Sequence, residues 1–146
     1  MKLFQIEEPD GSPSDPEAPG AAIGIDIARA QAEVAVAVGG NAVVLPDRDG
    51  FELDLSVPDS TSPFADWRDL FQGARLRAER SLGRPVTHAV VAVDQSPAPS
   101  FTELLTEAAA AAGIELLRVE MPSTGEAPAL AAAIAAEDLA PRPGMP

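Results

Sequence analysis

Asp26 is the residue in this chain whose setting most demands a chemical explanation. It stands near the end of an apolar run, Ala22 to Ile27, otherwise interrupted only by Gly24. A carboxylate inside such a run is costly to bury unless it meets a cation, a metal or hydrogen-bond donors. One reading places Asp26 in a cleft where it helps hold a hydrated Mg²⁺ or a phosphate-bearing ligand. The other makes it a strand-end acid, solvated or capping a turn. Other chemistries find less material. The chain has no cysteine, which removes thiolate metal sites and disulfides. Its one histidine, His88, opens an apolar run and reads as structural. Ser96, Ser100 and Ser123 have no histidine at a spacing that would build a nucleophilic triad.

The elements that would position Asp26 follow from periodicity. Ala22 to Ile27 and the alternating Ala32 to Val38 read as two strands joined by a tight turn. Gly39-Gly40-Asn41 supplies turn residues and Ala42 to Leu45 a third strand. After the turn Asp47-Arg48-Asp49-Gly50, apolar residues alternate with polar ones over Phe51 to Val57, an edge strand or extension. Ser62-Pro63 is an expected N-cap, and Phe64, Trp67, Phe71, Ala74, Ala78 and Leu82 form one helical stripe ended by Gly83 and Pro85. His88 to Val93 predicts a buried parallel strand. Ser100 with Glu103 predicts a capping box for a helix that Gly113 ends. Ile114 to Val119 is a further strand, and Pro128 to Leu139 an alanine-rich final helix.

Three antiparallel strands followed by two strand-helix-strand crossovers is the ribonuclease H-like arrangement. The expected fold is therefore α/β, a mixed five-stranded sheet with helices on both faces and the Ile23 to Ile27 strand central. Asp26 and Asp94 then end neighbouring strands on the edge where open α/β sheets place ligands, and both are candidate metal residues.

At 146 residues the chain suits one domain, expected over 21–140, between a disordered acidic leader, 1–20, and a disordered tail, 141–146. Twenty-three acids against ten bases give a net charge of −13, a field that repels nucleic acids and anionic membranes. Five arginines between Arg68 and Arg84 fall mostly off the apolar stripe and read as a solvated face. No apolar run reaches the length of a membrane span, and MKLFQIEEPD lacks the basic start and apolar core of a signal peptide, so a cytoplasmic location is expected.

Three stretches resemble the first lobe of the nucleotide-binding domain of the seventy-kilodalton heat-shock chaperones, in the actin-like ATPase superfamily. IGIDIARAQAEVAVAVGGNAVVLPDRDG is similar to the family's phosphate-binding hairpin and third strand. AERSLGRPVTHAVVAVDQSPAPSFTELLTEAAAAAGIELLRVEMP is similar to the helix-strand-helix-strand run that ends the lobe, and APALAAAIA to the helix after it. The resemblance implies an actin-like ATPase lobe with a candidate nucleotide- or phosphate-binding turn at Asp26, Ile27, Ala28, Arg29 and Ala30. The departures bear on activity. Ala28, Arg29 and Ala30 stand where the family has glycine and two threonines that grip phosphate. Met121 stands where the family has a glutamate before proline, no lysine follows Lys2, and no stretch corresponds to the second lobe.

These features lead to the expectation of a non-catalytic, heat-shock-chaperone-like single lobe that binds or regulates another protein, with no required cofactor. Two alternatives are a weak Mg²⁺-nucleotide-binding protein, with Arg29 as phosphate contact, and a ribonuclease H-like metal-dependent nuclease. The nuclease would use Asp26 and Asp94 with Glu126, Glu137 or Asp138. The acidic charge and the lack of a basic groove oppose a nucleic-acid substrate.

Overall fold

The computed structural model describes residues 21–38, 41–45, 55–59, 61–121 and 127–140. In chain order the elements are β1 (Ala21–Asp26), β2 (Glu33–Val38), β3 (Asn41–Val44), α1 (Phe64–Leu82), β4 (Val86–Ala92), α2 (Pro99–Ala111), β5 (Glu115–Glu120) and α3 (Pro128–Leu139). The chain is α/β, with an open five-stranded mixed sheet in the order β3-β2-β1-β4-β5. β1 pairs antiparallel with β2, and β2 with β3. β4 pairs parallel with β1 and with β5. The run His88 to Val93 thus lies beside the Ile23 to Ile27 run as the order of elements predicts, with Ile25 opposite Val91 and Asp26 opposite Ala92.

Side-chain alternation along the strands divides the core between two faces. Ile23, Ile25, Val34, Val36, Ala89 and Val91 pack with Trp67, Phe71 and Leu105 of α1 and α2. The opposite face carries small residues. Ala35 and Ala37 pack with Ala129 and Ala133, and Val90 and Ala92 with Ala132 and Ala136, all on α3. Gly24 lies on this face too, with the α3 backbone directly over it. Alanine brings little burial energy per residue, but it lets a helix sit close, and the whole stripe is solvent-free.

The helix stops hold, and the starts of α1 and α2 shift. Gly83 and Gly113 both take positive φ, 69° and 88°, after α1 and α2, conformations that glycine adopts without a Cβ penalty. Ser62 does not cap α1: Pro63 occupies the N-cap position, and the Ser62 hydroxyl donates to Asp59. The expected Ser100–Glu103 box does not form either. Ala98 is the N-cap of α2 and Pro99 its first residue, with no side-chain cap. Proline has no N–H to leave unpaired and a φ already suited to a helix, so it sets the start. Ser100 then falls inside the first turn, too late to cap.

The turns at Gly39-Gly40 and Asp47–Gly50, Phe51 to Asp54 of the expected edge strand, Glu126, and the expected disordered segments 1–20 and 141–146 lie outside the described residues. Among those described, no helix is long and apolar enough to cross a membrane.

Candidate functional site

Asp26 is completely shielded from solvent at the end of β1. Strand alternation sets its side chain on the α3 face with Gly24, opposite the face on which Ile25 and Ile27 pack. One oxygen, Oδ1, accepts the Ala28 N–H at 2.8 Å. The other, Oδ2, is buried with no hydrogen-bond partner among the described residues. Burial pushes its carboxyl above the ordinary value. The Ala28 bond and Arg29 pull it back, while Glu33 and Asp94 add to the rise. Glu33 is its partner across the antiparallel ladder. Asp94 follows β4 in a bend and is exposed. Asp26 and Asp94 therefore end neighbouring strands, as the sequence predicts, but in opposite environments.

The turn after Asp26 is bound to the chain itself. Ala28 N–H is held by Asp26, Ala32 N–H donates to the Leu55 carbonyl at 2.8 Å, and Val57 N–H donates to the Ala30 carbonyl at 2.9 Å. Gln31 and Ser56 form an antiparallel bridge, reinforced by a 2.9 Å bond from Gln31 Nε2 to Ser56 Oγ. The segment Leu55 to Val57 thus straps the turn, with Leu55 fully buried beneath it. Arg29 and Ala30 remain exposed and Ala28 partly so.

On the other face, a cavity of about 380 Å³ opens over the carboxyl ends of β1 and β4, where Ile27 and Val93 leave the sheet. Strand order reverses between β1 and β4, and open α/β sheets leave a crevice at such a switch point. Trp67 of α1 and Phe101 of α2 line it, their rings edge to face with centroids 5.3 Å apart. Pro58, from the strap, lines it as well, and so does Asp94. Of the residues singled out from sequence, Ile27, Asp94 and Ser96 reach this cavity, while Asp26, Ala28, Arg29 and Ala30 do not line it. Trp67 and Phe101 were legible only as helix-stripe residues, and their meeting depends on how two helices cross the sheet.

The chain matches no protein-family model and no curated protein. Among the described residues no group of three or more His, Cys, Asp or Glu side chains is gathered to hold a metal ion. What the site offers is a recess lined mainly by apolar residues, with Asp94, Gln95 and Ser96 as its polar ones, beside a buried acid that is bonded to its own turn.

Proposed function

We propose that the chain is a non-catalytic lobe of ribonuclease H-like fold, akin to the first lobe of the seventy-kilodalton heat-shock chaperones, that acts in the cytoplasm as a binding or regulatory module for another protein. The fold assignment rests on the β3-β2-β1-β4-β5 order, antiparallel through β1 and parallel beyond it, with helices on both faces. One observation carries the functional reading. The turn that the family would use to grip phosphate is engaged internally through the Ala28 and Ala32 N–H groups and the Ala30 carbonyl.

A Mg²⁺-nucleotide does not fit the residues present. Phosphoryl transfer needs donors converging on the phosphate and charges that neutralise it. Here the Ile27 and Ala28 N–H groups of the turn are spent on Ala92 and Asp26, an alanine Cβ stands at 28 in place of the family's glycine, and positions 29 and 30 carry no hydroxyl. Asp26 Oδ2 is out of solvent's reach, whereas Asp94 is exposed. Removing one preorganised donor costs about a hundred- to a thousand-fold in rate, and with so few groups to hold phosphate the expected Mg²⁺-ATP affinity is no better than roughly millimolar.

The test is a calorimetric titration of Mg²⁺-ATP, with a phosphate-release assay, repeated with Asp26→Ala. The expected result is no hydrolysis and weak binding that the substitution leaves unchanged. Micromolar binding abolished by Asp26→Ala would overturn this reading in favour of a nucleotide-binding protein.

A further inference from the structure

The cavity at the β1–β4 switch point goes beyond this reading and would stand whatever the nucleotide titration shows. Its volume, about 380 Å³, lies in the range of small-molecule sites. Its walls are built from distant parts of the chain: Ile27 after β1, Val93 after β4, Trp67 on α1, Phe101 on α2, and Pro58 on the strap. Trp67 is the floor, 1% exposed, and its indole Nε1 is buried with no hydrogen-bond partner among the described residues. Phe101 is half-buried and offers ring surface to an occupant.

Charge narrows what that occupant can be. Among the described residues lining the cavity, the one charged side chain is Asp94, and it is exposed at the border. A second cleft, of about 290 Å³, shares Val57 and Pro58 with the first and adds the exposed acids Asp66 and Asp69. The first turn of α2 also borders the cavity, but it has little to give an anion. Pro99 has no N–H, and the Phe101 and Thr102 N–H groups both point to the Ala98 carbonyl, at 3.0 Å each. An aromatic wall attracts a cation through the negative face of its ring. The chain's net charge of −13 raises the local concentration of cations further.

We propose that this cavity binds a small organic cation with an apolar body, of the arylalkylammonium class, its hydrocarbon part against Phe101 and the Trp67 floor and its ammonium towards Asp94. Hydrophobic burial supplies most of the affinity and Asp94 with the Phe101 ring supplies the selection for positive charge.

Trp67 is the chain's only tryptophan, so its fluorescence reports on this cavity alone. The intact chain is titrated with three probes of one shape: benzylammonium, benzyl alcohol and benzoate. A saturable change in Trp67 emission is expected, with benzylammonium bound about three- to thirty-fold more tightly than the alcohol and benzoate weakest. Asp94→Asn, at an exposed position, is expected to bring the benzylammonium affinity down to that of benzyl alcohol while leaving the alcohol unchanged. Phe101→Leu is expected to weaken all three, with its far-UV circular dichroism checked against the parent. Absence of saturable emission change with every probe would overturn the proposal. So would benzoate binding as tightly as benzylammonium, or a charge preference untouched by Asp94→Asn.

Discussion

Gly24 of β1 and Ala133 of α3 are in direct backbone contact: a Cβ at position 24 would collide with the Ala133 nitrogen and lie 2.7 Å from the Ala129 carbonyl oxygen. Both neighbours are main-chain atoms of a helix, which cannot turn aside as a side chain can. The helix is held in place by the alanines at 129, 132, 133 and 136, all fully buried on the sheet. Gly24→Ala therefore has to lift α3 from the sheet. The expected loss is about 1–3 kcal/mol or more, read from the urea midpoint. Gly83→Ala is the control. Its φ of 69° is unfavourable for alanine, but no atom of the described residues would lie within 4 Å of the added Cβ, so its cost is expected to be about 1 kcal/mol. A smaller effect at Gly24 than at Gly83 would mean that the α3 contact is looser than described.

Much of this contact was legible in the chain, and some was not. The run HAVVAV reads as a buried strand because it is continuous and apolar, and its place beside the Ile23 to Ile27 strand follows from the order of strands and helices. Pro128 to Leu139 is recognisable as a helix by its alanines and its proline start, and the structure gives it those bounds. Helix starts are less legible where proline and serine compete, because Ser100 satisfies a capping pattern that Pro99 pre-empts. The cavity could not be read at all. Trp67 and Phe101 are 34 positions apart and on different helices, and their 5.3 Å approach is a product of tertiary packing. Asp26 was recognisable as a residue under constraint, and its bond from the Ala28 N–H is the turn-capping alternative; that its Oδ2 would be buried with no partner among the described residues was not legible.

Leu55 shows how far the strap matters. It is fully buried, its carbonyl accepts the Ala32 N–H, and its Cδ2 lies against Gly73 of α1. Leu55→Ala is expected to destabilise by about 2–5 kcal/mol, the range for emptying a closed core position. Protection of the Ala32 amide in hydrogen exchange is expected to fall with it. Retained protection in that variant would show that the turn holds without the strap.

The missing cap of α2 predicts a gain. Ala98 has φ −68° and ψ 148°, the backbone geometry of an N-cap, and is exposed, but it has no side-chain oxygen. Ala98→Ser places an acceptor there without disturbing packing. The expected stabilisation is about 0.5–2 kcal/mol in thermal or urea unfolding. An unchanged midpoint would indicate that the Ser100 N–H gains nothing from a side-chain acceptor at position 98.

Asp26 makes stability depend on pH in a particular direction. Burial raises its carboxyl above 3.8 in the folded chain, with Glu33 and Asp94 adding to the rise and the Ala28 N–H and Arg29 opposing it. A raised acid binds its proton more tightly folded than unfolded, so the folded state holds the extra proton over the window between the two values. Stability contributed by this group is then greatest below about the unfolded value and is lost as pH climbs through the raised one. At neutral pH the ionised side chain is a liability, with Oδ2 buried and without a partner among the described residues. Asp26→Asn keeps an oxygen for the Ala28 N–H and cannot ionise. The variant is expected to unfold at a higher temperature than the parent near pH 7, and the difference is expected to shrink steadily as pH falls towards 4. The other acids titrate in both proteins, so the comparison isolates Asp26. Thermal unfolding of the pair at several pH values reads the result directly. A variant less stable than the parent at pH 7 would show that Asp26 is held as a charge, by a cation or by its neighbours, and would return it to the list of binding residues.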